Sequence, residues 1–63
     1  MKYFYKYIKI MYIEGKYIAY YRDDFNYFTI CDKYGVEVCE NTRNEAMIKA
    51  RKIIDDLNGK REV

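Results

Sequence analysis

The sequence predicts an α+β fold: a four-stranded antiparallel meander sheet with one C-terminal helix, ββββα, with a three-stranded sheet as the smaller alternative. Three observations predict it. The first part of the chain, opening with MKYFYKYIKIMYI, is crowded with aromatic and β-branched residues, which suit a pleated strand. Gly15 and Gly35 each sit between two such runs, where a hairpin needs a residue that tolerates positive φ. The last third changes to apolar residues at three- and four-residue spacing behind a capping signature.

The elements follow in order. Tyr3, Phe4, Tyr5, Tyr7, Ile8, Ile10, Tyr12 and Ile13 form the first strand, since a helix would restrict so many ring and β-branched side chains. Glu14-Gly15 makes a two-residue hairpin turn, and strand two runs from Lys16 to Arg22. Asp23-Asp24-Phe25-Asn26 is a turn cluster. Strand three runs from Tyr27 to Asp32, Lys33-Tyr34-Gly35 forms a three-residue loop with a glycine bulge, and strand four runs from Val36 to Glu40. That loop places Asp32 opposite Val36, Cys31 opposite Glu37 and Ile30 opposite Val38. Cys31 and Cys39 then form a diagonal pair, a geometry that rarely bridges, so two reduced thiols are expected.

The helix, about 43–58, opens with Thr42 at its N-cap and Glu45 at N3. Ala46, Met47, Ala50, Ile53, Ile54 and Leu57 make its apolar stripe, and Gly59 stands where a left-handed cap belongs. Glu45–Lys49, Arg51–Asp55 and Lys52–Asp56 are at ion-pair spacing. Residues 1–63 form a single small domain.

One helix covers one face of a sheet. The pattern assigns Met11, Ile18, Tyr20, Phe28, Ile30, Val36 and Val38 to the covered face. It assigns Ile8, Ile10, Tyr12, Tyr17, Ala19, Tyr21, Tyr27, Cys31 and Cys39 to the opposite one. Both sets are apolar or aromatic, whereas a sheet with one wet side alternates hydrophobic and polar residues. A second contact surface is therefore expected.

Composition narrows the chemistry. A 63-residue chain buries only about 60% of its unfolded surface, so a partner or second subunit is a natural supplement. The chain has no His, Ser, Trp, Pro or Gln, which excludes a serine triad and a Cys–His pair. Two cysteines without histidine supply a metal site poorly. Neither a cofactor nor a metal is expected, and the chain reads as non-enzymatic. Lys2, Lys6 and Lys9 interrupt the opening stretch, which excludes a signal peptide or membrane span there. Charge is uneven: +4 over residues 1–22, −4 over 23–40 and +2 over 41–63. A sheet with one basic and one acidic edge favours ordered self-association, most often as a homodimer.

The stretch from Gly15 to Leu57 resembles two groups. Strand, turn and strand followed by Thr-x-x-Glu-Ala and a helix is similar to the arm-type DNA-binding domain of tyrosine recombinases, at Tyr17 to Tyr21, Gly35, Thr42, Glu45 and Ala46. That family docks its sheet on DNA. Here strands three and four are acidic where DNA contact wants Lys and Arg. In size, composition and layout the whole chain also resembles small orphan proteins of phages and mobile elements. These include inhibitors of bacterial defence such as anti-CRISPR proteins.

The resulting expectation is a protein-binding module, an inhibitor of a bacterial defence complex, acting in the cytoplasm of its host. Tyr12, Tyr17, Tyr21 and Tyr27 would anchor the interface, and Asp23, Asp24, Asp32, Glu37 and Glu40 would steer a basic partner. The alternative is nucleic-acid binding by Lys2, Lys6, Lys9, Lys16 and Arg22, with Lys49, Arg51 and Lys52 on the helix.

Overall fold

The computed structural model describes residues 2–59; Met1 and the charges of Lys60, Arg61 and Glu62 lie outside the described residues. A 3₁₀ turn at Tyr5–Tyr7 leads into β1 (Ile8–Ile13), β2 (Lys16–Arg22), β3 (Tyr27–Thr29), β4 (Cys39–Glu40) and α1 (Arg43–Leu57). The four strands form one antiparallel sheet with α1 packed on β1, β2 and β4, which is the expected α+β architecture.

The first hairpin has the expected register, with Ile10 opposite Ala19 and Met11 opposite Ile18. Glu14 and Gly15 have φ of 49° and 81°. Two consecutive positive values match the twist of the flanking strands, as a type I′ turn does. The loop Lys33–Gly35 also closes as expected: Asp32 N–H donates to Val36 O at 2.9 Å and Val38 N–H to Ile30 O at 3.0 Å. Cys31 bridges to Glu37.

Three features differ from the sequence expectation. Residues 3–7 do not extend β1. Tyr3 instead exchanges two hydrogen bonds with the Asn58 amide, N–H to Oδ1 at 2.7 Å and Nδ2 to the Tyr3 carbonyl at 2.8 Å. Its ring packs edge-on against Tyr21 and Phe28. The opening segment thus closes the end of the core beside the helix terminus.

The second difference is the place of the last strand. β4 pairs with β2, through Tyr17–Glu40 and Ile18–Cys39, on the same side of β2 that β3 occupies through Tyr20–Arg22. The hairpin over residues 30–38 leaves that edge and returns to it. Strands three and four are correspondingly short, at three and two residues.

The third difference is decisive for the surface. Arg22 pairs with Tyr27 and Tyr21 with Phe28 around a four-residue turn closed by Asp23 N–H to Asn26 O at 2.9 Å. Phe28 and Ile30 therefore share a face with Tyr21 and Ala19, rather than with Tyr20 and Ile18. A one-residue change of register moves a whole strand's side chains to the other face. The core is Ile8, Ala19, Tyr21, Ile30, Val38, Ala46, Ala50 and Ile54, with Ile10, Tyr17 and Phe28 packed against it. Ala19 on β2 and Ala46 and Ala50 on α1 are all fully buried, and their small side chains let helix and sheet approach closely. Burial of a side chain such as Ile54 contributes about 1.5–3 kcal/mol.

Thr42 caps α1: its Oγ1 accepts from Glu45 N–H at 3.1 Å and donates to Glu45 Oε1 at 2.9 Å. Asn58 is the C-cap and Gly59 follows at φ 79°, the left-handed position that favours glycine.

Candidate protein-binding face

Strand alternation sets Lys9, Met11 and Ile13 of β1, Ile18, Tyr20 and Arg22 of β2, Tyr27 and Thr29 of β3, and Cys39 of β4 on the face away from α1. No element among the described residues covers it. Met11 and Ile13 are about two-fifths exposed and Tyr27 is 68% exposed. Ile18, Tyr20, Thr29 and Glu37 join these three around a shallow groove of about 220 Å³. The Tyr20 and Tyr27 rings stack at 5.8 Å, and the Arg22 guanidinium lies 6.0 Å from the Tyr27 centroid. This surface offers apolar area, two stacked rings with polar tips, and cations at Lys9 and Arg22. Such a combination suits contact with another macromolecule more than chemistry on a small one.

Of the four tyrosines expected to anchor an interface, only Tyr27 lies on this face. Tyr21 is corrected to a core residue: it is fully buried, and its hydroxyl accepts from Phe4 N–H at 3.2 Å. Burial pushes its phenol pKa up. Tyr17 is half-buried on the helix side and packs its ring 4.9 Å from that of Tyr12, which is exposed at the sheet margin. The residues that replace them are Met11, Ile13, Ile18 and Tyr20. The signal for them lay in the Asp23–Asn26 turn, whose four-residue length sets the face of strand three.

The acidic residues do not form one patch. Asp23 Oδ1 accepts from Phe25 N–H at 2.8 Å and Asn26 N–H at 2.5 Å. Partial burial opposes its charge, but these donors outweigh that and hold its pKa below the ordinary aspartate value. Asp32 Oδ1 likewise holds Tyr34 N–H and Val36 N–H, at 2.8 and 3.0 Å. Asp23 and Asp32 are thus builders of turns. Glu40 pairs with Lys49 at 3.0 Å, and that hydrogen bond raises the lysine pKa. Asp24 and Glu37 are exposed.

The basic residues also scatter. Lys9 and Arg22 share the open face. Lys16 bonds Asn41 Oδ1 at the hairpin end. Arg51 stacks over the Tyr5 ring at 5.4 Å, while the Tyr5 hydroxyl donates to Asp55. That bond, with burial and the carboxylate charge, raises the Tyr5 pKa. Asp55 and Lys49 thus reach across to the sheet side rather than along the helix. Lys2 lies beside Phe4 and the 23–26 turn, Lys6 sits over the Tyr7 ring, and Lys52 is exposed beside the hairpin.

Cys31 is half-buried and Cys39 exposed, and both are free thiols. Among the described residues no three His, Cys, Asp or Glu side chains gather as a metal site, and no helix is long and apolar enough to cross a membrane. Compared with known protein families, curated proteins and solved structures, the chain has no significant match in any of the three.

Proposed function

We propose that this protein is a non-enzymatic binding module that engages another protein through the open face of its sheet. The observation that carries this reading is the uncovered set Met11, Ile13, Ile18, Tyr20 and Tyr27 on one face of a four-stranded sheet. Exposed apolar surface rimmed by charge marks interaction sites. The target class we favour is a bacterial defence complex, with the protein encoded by a phage or mobile element; small size and layout support this finer reading.

A tagged pull-down from nuclease-treated bacterial lysate tests it, comparing wild type with Ile13→Asp and Tyr27→Ala. A discrete protein captured by wild type and lost from both variants, with unchanged thermal melts, is the expected result. Capture that is indifferent to both substitutions overturns the assignment of this face.

One observation favours a second reading. Lys9 and Arg22 flank the stacked Tyr20–Tyr27 pair, an arrangement that can stack unpaired bases and hold phosphate. Binding to a single-stranded oligonucleotide that weakens steeply with salt, and is lost in Tyr27→Ala, would place this reading first.

A further inference from the structure

We infer that β1 is a self-pairing edge, through which two copies of this chain join their sheets about a two-fold axis. This uses the sheet margin rather than its open face, and so stands independently of the function proposed above.

Among the described residues β1 pairs only with β2, and its other side is an open edge. In a two-residue hairpin the residues flanking the turn are a hydrogen-bonded pair, here Ile13 and Lys16. Alternation then directs the backbone N–H and C=O of Lys9 and Met11 towards β2, and those of Ile8, Ile10 and Tyr12 outwards. The Ile8 N–H is already held by the Tyr5 carbonyl. The Ile10 and Tyr12 N–H groups and the Ile8, Ile10 and Tyr12 carbonyls therefore face outwards as free strand-pairing groups.

The usual guards of an edge are nearly missing. The chain has no proline, β1 is paired residue for residue without a bulge, and Lys9 is its single charge. The edge is also apolar on both sides. Met11 and Ile13 are exposed towards the open face, and Tyr12 towards the helix side. Ile48, 54% exposed, precedes Arg51 and Asp55 by three and seven residues. Both of those reach Tyr5 in the 3₁₀ turn that precedes β1, so Ile48 lies on the same flank of the helix.

Charge selects the occupant and the register. Pairing centred on Ile10 sets Ile8 opposite Tyr12 of the second copy and Lys9 opposite its Met11. It forms hydrogen bonds from each Ile10 N–H to the other Ile10 carbonyl, and from each Tyr12 N–H to the other Ile8 carbonyl. It also brings the Lys6 end of each copy to Glu14 of the other. A shift one way opposes Lys9 to Lys9. A shift the other way sets Ile8 opposite Glu14, which lies in the hairpin turn beyond the end of the strand. The strand is thus self-complementary in one register, as an isologous contact requires.

Sedimentation equilibrium combined with residue-resolved amide hydrogen exchange tests this. The expected result is a concentration-dependent species of twice the 7.8 kDa chain mass, with the Ile10 and Tyr12 amides gaining protection as it forms. Lys6→Glu should weaken the dimer roughly twofold to thirtyfold, the range for two exposed ion pairs, and adding Glu14→Lys should restore it. A monomer at millimolar concentration overturns the proposal. So does a dimer in which the Ile10 and Tyr12 amides stay unprotected, which would place the contact on the open face or elsewhere.

Discussion

Replacing Tyr21 by alanine is expected to unfold the domain, whereas the same change at its neighbour Tyr20 is expected to leave it folded. Tyr21 is fully buried, stacks on Phe28 at 5.2 Å and meets Tyr3 and Tyr7 edge-on. Truncating a buried aromatic ring to alanine costs about 3–5 kcal/mol. Loss of the hydroxyl that accepts from Phe4 N–H adds about 1 kcal/mol. A 63-residue domain holds on the order of 3–9 kcal/mol in total, so the loss of about 4–6 kcal/mol in Tyr21→Ala removes from nearly half to all of it. Tyr20 is half-buried on the open face and loses chiefly its contact with Tyr27, about 1 kcal/mol or less. Urea and thermal unfolding followed by far-ultraviolet circular dichroism read both variants. Tyr21→Phe supplies the intermediate case: it keeps the ring, loses about 1 kcal/mol, and should lower Tm by about 4–8 °C. If Tyr21→Ala melted like wild type while Tyr20→Ala unfolded, the face assignment would be inverted and the reasoning refuted.

Thr42→Ala removes the acceptor for Glu45 N–H and should cost about 1 kcal/mol in thermal unfolding, with Thr42→Ser close to wild type. The depressed Asp23 pKa implies a pH dependence. Because the folded state holds the carboxylate, its stabilisation is present above the ordinary aspartate pKa near 4. It is lost as pH falls through the lower folded value. Asp23→Asn, which can still bridge the turn, should therefore show a shallower fall in stability between about pH 5 and 2 than wild type; identical slopes would deny Asp23 that role.

Features set by neighbours in the chain were legible in the sequence. The turn at Glu14-Gly15, the Lys33–Gly35 loop with its register, the Thr42 cap and the helix stripe each depend on residues within a few positions of one another. Their physics is local: which residue tolerates positive φ, which side chain reaches an orphan amide, which spacing makes one apolar face. That the sheet would carry an apolar face on its uncovered side was also legible, because both alternating sets along β1 and β2 are apolar. Its membership was not.

Tertiary structure decided that membership. Whether Tyr20 or Tyr21 faces the helix depends on the length of the turn between Arg22 and Tyr27, and a single residue there exchanges the two faces. Both choices bury comparable aromatic area on β2, so composition does not distinguish them. The fully buried Ala19 beneath Ala46 and Ala50 does, since the helix needs small side chains where it meets the sheet. The same holds for Tyr3: its strand-forming neighbours pointed to an extension of β1, but its backbone partner is the Asn58 amide, 55 positions away. Local propensity specified what each segment could become; contacts across the whole chain selected which face the helix covers and which stays open.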